Sequence, residues 1–129
     1  MSQIPRSTDH TRSDLDNEQL NNWRTQIKKG YLELCILLRI KHKQRIYGFE
    51  LIEDLKHFNL HVKEGTLYPL INRMTTDKIL SAVWETENLK GHPRKFYSLT
   101  PYGIEILDQM QKEFHEMQVM FTQLEREKE

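Results

Sequence analysis

Apolar residues change their rhythm along this chain, and the changes mark its elements. Up to about Asp14 almost nothing asks to be buried, so 1–15 reads as a disordered arm. Leu20, Trp23 and Ile27 then recur at helical spacing behind Asp16 and Asn17, either of which suits a helix cap. That helix either runs through Gly30 or kinks there into Tyr31–Ile40, which is apolar on nearly every face and so predicts burial from several sides. After the basic connection Lys41–Arg45, an amphipathic helix opens at Tyr47-Gly48 with Phe49, Leu51, Ile52 and Leu55 on one side. Asn59 suits the turn within His57–His61. The next helix, about Glu64 to Thr76, places Leu67, Leu70, Ile71 and Met74 inward, leaving Thr66, Tyr68, Asn72 and Arg73 partly exposed.

The period then shortens to two. Ile79–Glu85 and Arg94–Thr100 are short, β-branched and aromatic, and a loop containing Gly91 and Pro93 joins them into a hairpin. Thr100-Pro101 is a strong helix start, a capping hydroxyl followed by proline where its missing N–H costs nothing. From there one helix of about 25 residues is expected. Leu107, Met110, Phe114, Met117, Phe121 and Leu124 follow at alternating steps of three and four, an a/d stripe that a small domain cannot cover alone. The stripe predicts a second copy, with Trp23 and Ile27 of the first helix closing against it. The fold expected is α+β, mainly α: a winged helix-turn-helix domain over 16–100 with a long C-terminal dimerisation helix over 101–129.

Charge sharpens this picture. The 129 residues carry 19 Lys+Arg and 19 Asp+Glu, a net charge of zero. Yet Arg39–Thr100 holds 11 basic against 7 acidic residues, and Pro101–Glu129 holds 3 against 7. A basic middle is therefore joined to an acidic tail. The helix-turn-helix and a hairpin loop bearing Lys90, His92, Arg94 and Lys95 lie in the basic part. That order of elements suits a helix entering the major groove of double-stranded DNA with the wing on phosphates.

Other chemistries find no footing. There is no phosphate-binding glycine loop, no nucleophile–base arrangement and no carboxylate pair on rigid elements, so no catalytic residue and no cofactor are expected. His57 and His61 stand at i, i+4 but straddle a turn without a further ligand at suitable spacing, so no metal is expected. No apolar run reaches the length of a membrane span, and no apolar leader precedes the chain's first helix. The single cysteine, Cys35, excludes an internal disulfide and suits the cytoplasm.

Four motifs in order, Gly30-Tyr31-Leu32-Glu33-Leu34, Tyr47-Gly48-Phe49-Glu50-Leu51-Ile52, Glu64-Gly65-Thr66-Leu67-Tyr68-Pro69-Leu70 and Gly91-His92-Pro93-Arg94-Lys95-Phe96-Tyr97-Ser98-Leu99-Thr100, closely resemble the PadR family of transcriptional regulators. The resemblance spans about Trp23 to Leu107. It implies a homodimer, repression as the commoner activity and a palindromic operator. It also implies that Tyr47 and the Glu64–Tyr68 segment, with Glu64, Gly65, Thr66 and Tyr68, face DNA, and Asn72 and Arg73 lie further along the same helix; Lys63, directly before it, is expected beside a phosphate on its own charge and not from the resemblance. The short chain is similar to the subfamily that dimerises through one C-terminal helix, some members of which bind planar aromatic effectors between protomers. Met110, Phe114, Met117, Met120, Phe121, Trp23 and Trp84 could line such a site, but residues of this kind more often serve as ordinary packing, Trp84 at the end of a wing strand above all. Two positions depart from the family pattern: Lys63 stands where serine often caps the helix, and Lys78 where glycine often ends it, with Asp77 able to take part of that role. A protein-binding winged helix and a small-molecule-binding dimer whose DNA role is minor remain the alternatives.

Overall fold

The computed structural model describes residues 6–86 and 93–127, with side chains from residue 17 onward. The chain divides into two compact units, Met1–Leu32 and Glu33–Glu129. Helix α1 (Arg6–Lys43) runs through Gly30 without interruption. It begins at Arg6 rather than at Asp16 or Asn17, because no glycine or proline between Arg6 and Lys29 stops the helix from extending toward the N-terminus. Residues 1–5 of the expected arm lie outside the described residues. Within the first unit, Leu20, Trp23, Ile27 and Tyr31 are exposed apolar side chains.

The second unit carries the core. Its elements after α1 are β1 (Ile46–Tyr47), α2 (Gly48–Lys56), α3 (Glu64–Thr76), β2 (Leu80–Glu85), β3 (Arg94–Leu99) and α4 (Pro101–Arg126). Leu34, Ile36, Leu37 and Ile40 of α1 meet Leu51 and Leu55 of α2, Leu67, Ile71 and Met74 of α3, and Ile46, Leu80, Tyr97 and Leu107 in one buried set. The three strands lie antiparallel in the order β1-β3-β2. Ile46, Leu80 and Tyr97 share the face turned to the helices, while Tyr47, Phe96 and Val83 align across the opposite face. The two-residue strand β1 was not expected, since a segment that short shows no periodicity.

Each turn has a local cause. Asn59 adopts φ 61° and lets the Leu60 amide donate back to Leu55 O, closing α2 as the asparagine predicts. Lys78 takes the same left-handed conformation at φ 64°, so it occupies the glycine position itself and Asp77 forms the cap. The Lys78 and Ile79 amides then donate to Thr75 O and Met74 O. Thr100 caps α4 by accepting from the Gly103 amide at 2.9 Å, and its hydroxyl donates to Lys78 O at 2.6 Å. Asp54 is the one buried charged side chain among the described residues. It accepts two bonds from Arg39, at 2.6 and 3.2 Å, and Lys43 lies 3.9 Å away. The Arg39 hydrogen bond holds its carboxyl below the ordinary carboxylate range, outweighing the opposing effect of burial.

Candidate nucleic-acid interface

Burial of Leu67, Ile71 and Met74 fixes the rotation of α3 about its axis and therefore what it shows to solvent. Gly65, Thr66, Pro69, Asn72 and Arg73 are exposed along one side, and Lys63 and Glu64 are exposed at the start of the helix. Lys63 occupies the cap position in extended conformation with no side-chain cap bond, as its replacement of the usual hydroxyl predicts. The start of α3 is thus open to solvent, and a helix N-terminus presents unpaired N–H groups and partial positive charge to any anion brought near. Pro69 sits on the exposed side, where its ring meets water rather than a packed neighbour.

Tyr68 is placed differently. Its ring lies over Gly48 at the start of α2, so closely that a β-carbon there would come within 2.7 Å of Cζ. Burial pushes its phenol pKa up, with the Glu64 carboxylate adding to the effect. Tyr68 therefore joins α3 to the N-terminus of α2, and Gly48 is small because of it. The sequence counts Tyr68 among the residues facing DNA and does not reveal that its ring turns back onto Gly48.

Tyr47 caps α2 through its extended backbone and lies edge-on to Phe96, ring centroids 5.5 Å apart. Arg94 stacks its guanidinium 4.7 Å from the Tyr47 ring, and Lys95 lies 5.5 Å from the Trp84 ring. Both cations among the described wing residues are thus held by aromatic faces on the strands. Arg45 joins them: it lies 3.9 Å from the Phe96 ring and pairs with Glu85 at 2.9 Å, reaching across the central strand. In sequence Arg45 is one cation of a basic connection, and its alternation with Tyr47 is the signal of its place beside the sheet. Lys90 and His92 lie outside the described residues. Arg73 is occupied by two carboxylates, Glu33 and Asp77.

The a/d stripe divides in two. Leu107 is fully buried in its own domain, and Met110 and Phe114 are half-covered. Beyond His115 every described side chain of α4 is exposed, including Met117, Val119, Met120, Phe121 at 62% and Leu124 at 70%. Trp23 and Ile27 are exposed as well, at 58% and 51%. Among the described residues no group of three His, Cys, Asp or Glu could hold a metal, and no helix is long and apolar enough to cross a membrane.

Residues 36–109 match the family described as the transcriptional regulator PadR-like family. Transcriptional regulator Rv3488 of Mycobacterium tuberculosis is 31% identical over 92 residues, 69% of this chain and 84% of that protein. A PadR-like transcription factor from Bacteroides fragilis is 38% identical with a TM-score of 0.69, over 80% of this chain and 98% of its own. A PadR-like transcriptional regulator from Bacillus cereus gives 34% and 0.69, over 80% and 99%.

Proposed function

The chain belongs to the PadR-like family of transcriptional regulators, and from that membership we propose that it represses transcription by binding a palindromic operator as a homodimer. Its activity is DNA-binding regulation and not catalysis, as for the family. The observation that carries the finer reading is the exposed side of α3, with its uncapped start, in a domain whose wing strands carry Arg94 and Lys95 on aromatic supports. A helix of this kind fits the major groove, where Thr66 and Asn72 reach base edges while the wing grips phosphates. Tyr47 and the open amides of Glu64 and Gly65 suit phosphate contact.

The exposed end of α4 supports a homodimer. Met117, Phe121 and Leu124 in water are an unusual load for one small domain, and burying each against a second copy yields roughly 1.5–3 kcal/mol. Burial of Trp23 and Ile27 would add to that gain, which is of the same order as the cost of association. A two-fold dimer presents two copies of α3, and its operator is an inverted repeat with half-sites about 34–36 Å apart or a multiple of that. A planar aromatic effector would enter between protomers beside Phe114 and Met117, altering the angle between the reading heads. The cytoplasm is the compartment where such a protein meets its DNA.

Footprinting on DNA from upstream of the chain's own gene, paired with transcription in vitro from the same fragment, tests the proposal. Two-fold symmetric protection and falling transcript are expected. Protection of a single half-site would remove the dimer from the account, and rising transcript would remove repression.

A further inference from the structure

Between Glu64 and Thr76 the sequence contains one cation, Arg73. A helix lying on DNA with a single arginine on its exposed side has one strong phosphate contact to offer. In the free chain that arginine is engaged. Its Nη2 donates to Glu33 on α1 and its Nη1 to Asp77 at 3.4 Å. All three side chains retain solvent exposure, 48% for Arg73, 30% for Glu33 and 51% for Asp77. Asp77 caps the helix that carries Arg73 and travels with it, whereas Glu33 belongs to a different helix and holds the guanidinium from outside.

We propose that Glu33 withholds Arg73 from the DNA backbone, so that the arginine contributes only where the rest of the interface docks closely enough to displace the carboxylate. The proposal rests on the reading that α3 lies on DNA. A guanidinium fork that has paired with a carboxylate must give up that partner to take a phosphate in the same way. On loosely bound, arbitrary DNA the exchange swaps one hydrated ion pair for another and leaves Glu33 uncovered beside phosphates, so nothing is gained. In a closely docked complex the phosphate is fixed and water is excluded, and the exchange becomes favourable. Glu33 then lowers affinity for wrong DNA more than for the operator, without touching either. The chain's zero net charge points the same way, toward weak sequence-independent binding.

The test measures binding to a random-sequence duplex by fluorescence anisotropy across about 50–200 mM salt. It compares the full chain with Glu33→Gln, Arg73→Gln and the double variant, each checked by denaturation for an unchanged fold. Glu33→Gln is expected to bind about two- to fivefold more tightly, the scale of one exposed ion pair, and to steepen the logarithmic salt slope by about 0.9. Arg73→Gln should leave binding to this duplex unchanged, and the double variant should lose the gain. Unchanged affinity in Glu33→Gln overturns the inference, as does a gain that survives in the double variant, since Glu33 would then act through its own charge alone. Absence of binding by the unaltered chain at low salt would instead remove the DNA-binding reading on which the inference stands.

Discussion

Gly103→Ala separates packing from local propensity, because the two predict opposite signs. Gly103 lies in the first turn of α4, and a β-carbon there would overlap the Ile79 carbonyl oxygen, sit 3.0 Å from its carbonyl carbon and 3.3 Å from Cγ2. Comfortable contacts between carbon atoms fall at about 3.5–4.0 Å, so α4 and the turn at Ile79 must separate by an appreciable fraction of an ångström. The obstacle is backbone, which cannot rotate away. That same carbonyl accepts from the Thr100 amide at 3.1 Å and the Thr100 hydroxyl at 3.2 Å, and both weaken if α4 withdraws. Overpacking costs about 1–3 kcal/mol and each weakened hydrogen bond about 0.5–1.5 kcal/mol. Against this, alanine gains at most about 1 kcal/mol over glycine in a helix. The net expectation is a loss of about 1–5 kcal/mol, and Leu107, one turn further on and fully buried, would be drawn outward with the helix. Urea denaturation at matched protomer concentration should show a midpoint lower by roughly 1 M, given slopes of about 1–3 kcal/mol per molar for proteins of this size. A Gly103→Ala protein as stable as the original, or more so, would refute the close approach of α4 to Ile79.

Three other perturbations follow from single contacts. Lys78→Gly relieves a left-handed side-chain residue at φ 64° and should raise stability by about 1 kcal/mol, read as a melting temperature roughly 4 °C higher; a fall would contradict the Schellman-type closure at Met74 and Thr75. Gly48→Ala places a methyl group into the Tyr68 ring and should cost about 1–3 kcal/mol, with the Gly48→Ala/Tyr68→Ala pair costing less than the sum of the two single changes; strict additivity in a denaturation cycle would mean the ring is elsewhere. Asp54 titrates below the ordinary carboxylate range because Arg39 bonds its charged form, so its contribution is complete above the unfolded pKa of about 3.9 and is lost as pH falls through the lower folded value. Asp54→Asn should therefore be less stable than the original at pH 7, with the gap closing in acid below about pH 4; a gap that stays constant with pH would exclude the charged pair as its source.

Which parts of this molecule could be read from sequence depends on the range of the interaction responsible. The bounds of α3 and the start of α4 follow from neighbours along the chain: Leu67, Ile71 and Met74 at helical spacing, and Thr100 directly before Pro101. The left-handed turn at Asn59 follows from its residue type. The features that the sequence leaves hidden are held by partners distant along the chain. Ile46 and Tyr47 become a strand only because Phe96 and Tyr97 lie alongside. Leu107 continues the apolar stripe in sequence but is claimed by the core, a distinction that periodicity alone does not make. Tyr68 belongs to a motif that points to DNA, yet its ring seats on Gly48, a residue twenty positions away. Arg45 looked like one more cation in a basic connection until Phe96 and Glu85 gave it a fixed place on the sheet. The early start of α1 shows the reverse case, a polar segment without a hydrophobic face that stays helical because no residue interrupts it.

The central claim is that the exposed side of α3 reads DNA, and a gel shift at two salt concentrations tests it most directly. The probe is DNA from upstream of the chain's own gene, and the comparison is between the original chain and a Thr66→Ala/Asn72→Ala variant, both residues being exposed on α3 and remote from the core. The account predicts a discrete complex that weakens as salt rises, reduced in the variant to the affinity for random DNA while its denaturation midpoint stays unchanged. An undiminished complex in the variant, or no complex at micromolar protein in low salt, would contradict it.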